Sequence, residues 1–522
     1  MMLKAYSKNS FIPTSRFIKS LLVLFIGIFS NQHVSAVESI NYESEAIFNA
    51  GSGDFAPYYI ASNRHGILTQ SSDALLRIEA NKSLDLSQRF SYAFGAEVIG
   101  GYADKTDYSR YDASSASFYK HSEAPASIWI QQLYGEVKYR GVFLTVGMKE
   151  HQSALLNFNL SSGDIVESGN ARPIPEVRIG FVDFQYIPFT NGWLQIQGEI
   201  SYGKFTDNDW LENHYNYYDW HIALGSYYHY KRCYFRTNPE KPLSVTLGMQ
   251  TAGQFGGTSH VYANGIEIKQ YKGRASLEDF FKMFFPTQQS GSAFFEGNTL
   301  GSWDVVARYR LNNGAQLKAY VQKPWEDGSG IGWMNGFDGL WGIEYVAKNT
   351  NSLVNGAVAE YIDFTNQSGP IHWSPNDSPG TSITTNATGA DAYYNNFQYN
   401  SYMNYGMSIG TPFLPSPIYN KDGYLAFIDT RVRGFHLGIT GKIGAVDYRL
   451  LGGYRKGWGD GKAPTSSSRH NTSMMAEGIY SLPSLPALQI KAQIAFDKGN
   501  MFGDNFGANI SIAYRGSFNI DL

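Results

Sequence analysis

Aromatic rings set among amides and carboxylates are the groups in this chain best suited to chemistry with a ligand. The run Asp207-Asn208-Asp209-Trp210-Leu211-Glu212-Asn213-His214-Tyr215-Asn216-Tyr217-Tyr218-Asp219-Trp220 crowds both kinds together. Trp325-Glu326-Asp327 with Trp333, Asn335 and Asp338 repeats the mixture, as does the polar stretch containing Trp373, Asn376, Tyr393, Tyr394, Asn395 and Asn396. Flat rings stack on the apolar faces of pyranoses, while amides, carboxylates and guanidinium groups hydrogen-bond the hydroxyls. Trp210, Tyr215, Tyr217, Tyr218, Trp220, Trp325, Asp327, Trp333 and Trp373 are therefore the candidate polysaccharide contacts. The competing reading is an interfacial aromatic girdle or Tyr-rich loops that hold no ligand.

Signs of catalysis are sparse. The chain has no Gly-x-Ser-x-Gly elbow, phosphate-binding loop or His-Glu-x-x-His helix. His214, His221 and His229 are spaced for neither helical nor strand zinc geometry, and Asp327-Gly328-Ser329-Gly330 lacks the further oxygen ligands of an EF-type loop. No catalytic residue, metal or cofactor is expected, and the protein reads as a non-enzyme. Cys233 is the only cysteine, so there is no internal disulfide.

The elements that must position these residues begin with an export leader. Lys4, Lys8, Arg16 and Lys19 precede an apolar stretch from Leu21 to Phe29, too short to span a bilayer, and Val34, Ser35 and Ala36 give a small-residue cleavage pattern. Residues 1–36 are thus expected to be a cleaved signal peptide and 37–522 a single domain. Its loss takes the formal charge from -3 to -7, with 38 basic residues against 45 acidic. Nucleic acid would demand a concentrated basic stripe, so it is excluded as a partner.

The remainder carries 37 Tyr, 33 Phe, 10 Trp and 54 Gly with only 17% charged residues. Mean hydropathy is -0.30, and no run of roughly 18 apolar residues follows the leader. What recurs is alternation in segments of about ten residues, the pattern of a transmembrane β-barrel with one face to lipid and the next to the lumen. Trp129, Leu133, Val137 and Tyr139 oppose Gln132, Glu136, Lys138 and Arg140. Trp303, Val305, Ala307 and Tyr309 oppose Asp304, Arg308 and Arg310. Leu488, Ile490, Ala492, Ile494 and Phe496 oppose Gln489, Lys491 and Gln493.

Links of two lengths alternate along the chain. Short ones fall near 87–88, 140–141, 188–192, 239–242, 312–314, 349–352, 444 and 483–486. Long polar ones span 104–126, 150–175, 206–219, 251–301, 323–337, 366–400 and 456–471. Periplasmic turns and external loops should differ in this way. With an early strand between Ile40 and Ile67, the expectation is an all-β, antiparallel transmembrane barrel of about 18 strands, with long external loops and short helical segments plugging or capping the lumen. Residues 402–430 read either as a strand pair or as a segment folded into the lumen. Ser276 as N-cap, with Glu278 and Asp279 in the first turn, predicts a helical insert over 276–285. Its aromatics should pack against the barrel mouth or inside the lumen. A second short helix is expected over 151–157.

The run Ser162-Gly163-Asp164-Ile165-Val166-Glu167-Ser168-Gly169-Asn170-Ala171-Arg172-Pro173-Ile174-Pro175, following the strand end Val146-Gly147-Met148-Lys149, resembles a signature region of the Wzi capsule assembly family. Tyr58-Tyr59-Ile60-Ala61-Ser62-Asn63-Arg64-His65-Gly66 and the 276–285 helix add to the likeness. The resemblance implies an outer-membrane barrel that acts as a lectin-like anchor for exported capsular polysaccharide, with membrane lipids and the capsule export machinery as its other partners. The alternative from the barrel pattern alone is a passive porin for small solutes. Ser168, Asn170, Arg172 and Glu176 belong to the family-like segment. Their structural alternative is a tight buried turn in which Arg172 pairs with a lumen carboxylate such as Glu176.

Overall fold

The computed structural model describes residues 37–285, 297–370, 372–373 and 387–521. The expected leader and the Trp373 side chain lie outside the described residues. Residues 41–516 form the main body, and residues 37–40 and 517–521 carry the extended ends of the first and last strands.

Period-two alternation yields 18 barrel strands among the described residues. They are β1 (Val37–Ser52), β2 (Asp73–Lys82), β3 (Phe90–Ala103), β4 (Ile128–Tyr139), β5 (Val142–Met148), β6 (Glu176–Phe181), β7 (Leu194–Lys204), β8 (Trp220–Thr237) and β9 (Leu243–Ala263), followed by β10 (Asn298–Arg310), β11 (Gln316–Trp325), β12 (Gly339–Val346), β13 (Gly356–Asp363), β14 (Val432–Ile443), β15 (Val446–Gly459), β16 (Pro464–Ser481), β17 (Leu488–Gly499) and β18 (Phe506–Asp521). Each pairs with its chain neighbours, and β1 also pairs with β18, which closes the sheet. At that seam Arg515 Nε donates to Glu43 Oε2 at 2.7 Å. Closure leaves no free edge, the condition for strands to survive in hydrocarbon, where an unpaired backbone group costs several kcal/mol.

The two faces differ as the sequence requires. Ile78, Leu133, Ile179, Leu247, Ile343 and Ile494 are exposed on the outside, whereas Glu97, Gln132, Arg178, Asp304 and Gln493 are buried inward. No described helix is long and apolar enough to cross a membrane; the strands do the crossing.

Two strand expectations need correction. Trp129 does not share the outward face of Leu133, because the pairing of β3 with β4 slips between Glu97 and Val98 and leaves Gln131 as an extra residue. Gln131 and Gln132 both point inward, the phase flips at this bulge, and Trp129 turns into the lumen while Ile128 and Ile130 face out. The long loop expected over 456–471 is mostly strand, since β15 and β16 continue to Gly459 and from Pro464. Residues on this pair are polar on both faces near the tip, so alternation is lost where the strands rise into water.

The core lies in the lumen. Three outer-rim connections turn inward and pack against the wall, the first two over 53–72 and 149–175 and the third through its described parts, 364–370 and 387–431. Ile165, Val166, Tyr393, Tyr394, Tyr402, Phe413 and Phe427 are buried beside the wall residues Tyr228, Tyr230, Tyr320 and Ile362. Helix α1 (Tyr58–Ala61) packs against Met475, Ala495 and Phe502. Residues 402–430 are therefore plug. Segment 151–157 is turns, with no helix. Ser153 Oγ accepts from Leu155 N and Leu156 N at 3.3 and 3.1 Å, a side-chain turn that competes with helix formation.

Arg178 on β6 holds one flank of the plug. Its Nη2 donates to Glu167 Oε1, its Nε to Glu176 Oε1 and its Nη1 to Glu199 Oε1, each at 2.6 Å. Replacing it leaves buried Glu167 without a cation, while Glu199 keeps Arg232 and Glu176 keeps His151, and losing one partner of a buried pair costs about 3–5 kcal/mol. Arg178→Met is expected to lower the denaturant midpoint of the purified barrel by a corresponding amount, while Arg178→Lys loses less. Equal midpoints for Arg178→Met and the parent chain contradict this.

Candidate functional site

The family-like segment is the knot of the plug. Ser168 N donates to Ile409 O at 3.0 Å and Ser168 Oγ to Gly410 O at 2.7 Å. Asn170 Nδ2 donates to Ser408 O at 3.0 Å, and its Oδ1 accepts from Asn63 N at 3.1 Å. His65 N donates to Gly169 O at 2.7 Å. Three segments far apart in the chain thus meet at Ser168 and Asn170. Gly410 is required by this approach, since a Cβ there would lie 2.1 Å from Ile165 O. Arg172 does not pair with Glu176. Its guanidinium lies between the Trp129 and Tyr405 rings, at 4.4 and 4.7 Å, because the β4 bulge brings Trp129 inward. Glu176 is taken by Arg178 and by His151 Nε2 at 2.9 Å.

The plug is pinned to the wall by polar groups. Glu360 accepts from Ser161 Oγ, Ser162 N and Tyr320 Oη at 2.6–2.7 Å. His436 bridges Tyr59 Oη and Leu160 O. Arg455 lies 3.7 Å over the Tyr58 ring and donates from Nη1 to Phe413 O at 3.0 Å. On the inner side of the plug a cavity of about 270 Å³ remains, where Arg449 pairs with Glu477 and Lys491 with Glu45. Its lining sets Arg64, Arg77, Arg449 and Lys491 against Glu45, Glu150 and Glu477.

The outer rim carries the rings. Helix α2 (Asn208–His214) places Trp210 against His214, ring centroids 3.8 Å apart. Tyr215 is fully buried and clusters with Tyr217 and Tyr262, and Arg110 lies 4.9 Å over Tyr217. Tyr218 packs at 4.9 Å on both Tyr111 and Phe118. Those two belong to a hairpin, Thr106–Asp112 with Ser117–Glu123, within the stretch 104–126 expected to be a long polar link. The signal was present: Tyr111 and Phe118 flank Ala113-Ser114-Ser115-Ala116 at cross-strand positions. Phe118, Tyr119 and Trp220 remain 51%, 46% and 42% exposed, whereas Trp210, Tyr215 and Tyr217 are largely spent on packing. Beside the hairpin lies a groove of about 420 Å³ lined by Asp54, Ser71, Lys105, Asp107, Lys120 and Lys421. Exposed rings next to clustered hydroxyl-binding groups are an arrangement suited to a sugar chain.

The second aromatic group lies further round the rim. Trp325 is buried and unavailable to a ligand, while Trp333 is exposed with Lys323 Nζ 5.3 Å from its ring. Trp373 pairs by backbone with Ala387. Asp327 is buried and caps the short helical turn Gly328–Ile331, its Oδ1 accepting from Ser329 N at 2.8 Å.

Buried carboxylates gather here. Asp391 accepts from Ser368 Oγ at 2.5 Å and from Ser329 Oγ at 3.1 Å, and Glu326 Oε2 accepts from Ala392 N at 2.9 Å. Burial, then the neighbouring Glu326 and Asp327, push Asp391 well above the usual carboxylate range. Burial raises Glu326 to about 7 and Asp338 to about 6. Among the described residues no group of His, Cys, Asp and Glu is placed to hold a metal ion.

A closed antiparallel barrel with an apolar exterior and a filled lumen defines a plugged outer-membrane β-barrel, and that is the class of this protein. Its fold is similar to that of Wzi from Escherichia coli, described as an outer-membrane protein involved in group 1 capsule assembly and a carbohydrate-binding β-barrel. The TM-score is 0.55 at 12% identity, over 92% of this chain and 84% of that one. OccAB2 of Acinetobacter baumannii matches with a TM-score of 0.45 at 9% identity, over 92% and 98% of the two chains. OprD of Pseudomonas aeruginosa matches with 0.43 at 10% identity, over 92% and 94%. No protein-family model and no curated protein sequence matches the chain.

The acid cluster makes the outer loops pH-sensitive. A carboxyl raised in the folded state stabilises most below its unfolded value, 4.5 for Glu326, and that stability is lost as pH rises through about 7. Loops 326–338 and 387–395 are expected to resist protease better at about pH 5 than at about pH 8, and Glu326→Gln with Asp391→Asn to flatten the difference. Cleavage rates that rise on acidification would contradict it.

Proposed function

We propose that this protein binds a surface polysaccharide at its outer rim and so helps to hold capsule on the cell, without turning it over. One observation carries the reading: the lumen is occupied by three segments of the protein's own chain, while the outer rim presents exposed rings beside a polar groove. A conduit for solutes has no use for a plug pinned at Glu360, His436 and Arg455. The fold likeness to a carbohydrate-binding barrel and the family-like run through Ser168–Pro175 support the same reading. Phe118, Tyr119 and Trp220 are the leading contacts. Trp210, Tyr215, Tyr217 and Tyr218 shape the surface, and Trp333 and Trp373 stand as further contacts on the second rim segment. The export machinery that delivers the polymer is the proposed protein partner, and residues 1–36 the proposed export leader of a single barrel domain.

Two measurements test this together. Purified protein in a planar bilayer should pass little current, and immobilised capsule should retain the parent chain. Phe118→Ala with Trp220→Ala should weaken retention by about tenfold, the loss of roughly 1.4 kcal/mol of stacking. Large stable conductance, with capsule still attached to deletion cells, rejects the proposal in favour of a porin.

A further inference from the structure

The helix Leu277–Phe284 stands on the lipid side of the wall, near the outer rim but outside the lumen that the sequence offered as one of its two places. Register sets this. Tyr202 pairs with His229, and Ile200 with Lys231, across β7 and β8; His229 pairs with Gly253, and Tyr227 with Phe255, across β8 and β9. These positions alternate with Ser201, Tyr228 and Tyr230, which face the plug, so they point outward. The helix covers them. Tyr202 Oη donates to Phe280 O at 2.6 Å, and Lys231 Nζ donates to Met283 O and Phe284 O at 2.8 and 2.6 Å. The Phe280 ring lies 4.9 Å from Phe255 and 5.1 Å from Tyr202. Gly253 leaves room for the seat, since a Cβ there would stand 2.3 Å from Met283 Cε. His229 is buried although it faces out of the barrel.

Toward the inner turns from this seat, the outward residues are Ile196, Ile200, Phe235 and Leu247, the apolar band. The helix therefore lies at the outer boundary of that band. Its far side is apolar too: Leu277, Phe281 and Phe285, one turn apart, are 82%, 71% and 67% exposed. A helix facing water would place charge there. Next to it, Lys272, Arg274, Asp279, Lys282 and Gln398 line a cavity of about 310 Å³. Glu278 pairs with Lys282 at 3.1 Å and Asp279, in the Ser276 capping box, faces Arg274, so Lys272, Arg274 and Lys282 outnumber the two carboxylates and leave the cluster net positive. Rings at acyl depth with cations just above them match a lipid whose phosphates sit at the membrane surface.

We propose that this helix, with Lys272 and Arg274, binds a phosphorylated, multiply acylated glycolipid of the outer leaflet. The site is independent of the polysaccharide reading, because it faces lipid and shares no residue with the hairpin groove.

The test uses full-length protein in detergent, with native mass spectrometry counting lipid retained from added diphosphoryl lipid A. The parent chain should keep lipid A through delipidation, and Lys272→Glu with Arg274→Glu should reduce retention by about tenfold or more. Phe281→Ser should reduce it as well. Heat-modifiable gel mobility shows that each variant folds, and Lys272→Gln with Arg274→Gln replaces the reversal if it does not. Retention unchanged by the charge variants overturns the proposal, as does equal competition by phosphatidylglycerol or inorganic phosphate.

Discussion

In hydrocarbon every backbone N–H and C=O must find a partner within the protein, and the rest of this structure depends on that constraint. Strands meet it only by closing on themselves. Closure of this many strands creates an interior wide enough to hold water, lined by residues such as Glu360, Arg178 and His436 that an apolar filling would leave without partners. The chain answers by turning three outer connections inward. Their backbone and hydroxyl groups satisfy the wall, and their rings fill the space between.

Much of the wall was legible from residue order, because a two-residue rhythm allows only one assignment of faces in each strand. It failed where one residue was added. The extra Gln131 shifts the phase of β4, and a rhythm read from Leu133 back to Trp129 has no means of seeing it. The plug was legible only as an absence of rhythm over 402–430. Its partners lie hundreds of positions away, and nothing local to Ser168 or Asn170 announces Ile409 or Asn63 as neighbours.

The aromatic loops show the same division. Composition marked the run from Trp210 to Trp220 as rich in rings, but it could not separate rings that hold the loop from rings that meet solvent. Tyr215 and Trp210 went to the first task. Phe118 and Tyr119, which serve the second, sit in a hairpin whose hydroxylated turn resembles ordinary loop. The 277–284 helix was legible from its cap, but its side of the wall was not, because that follows from the strands beneath it rather than from its own sequence.

The knot at Ser168 and Asn170 also dictates an order of assembly. It joins residues near 63, 170 and 408, so it is tied only when the connections before β2, β6 and β14 have come together. Contacts this far apart in the chain carry a loop-closure cost that the wall must first meet, so the filling of the lumen is tied to assembly of the barrel as a whole and not to any one strand.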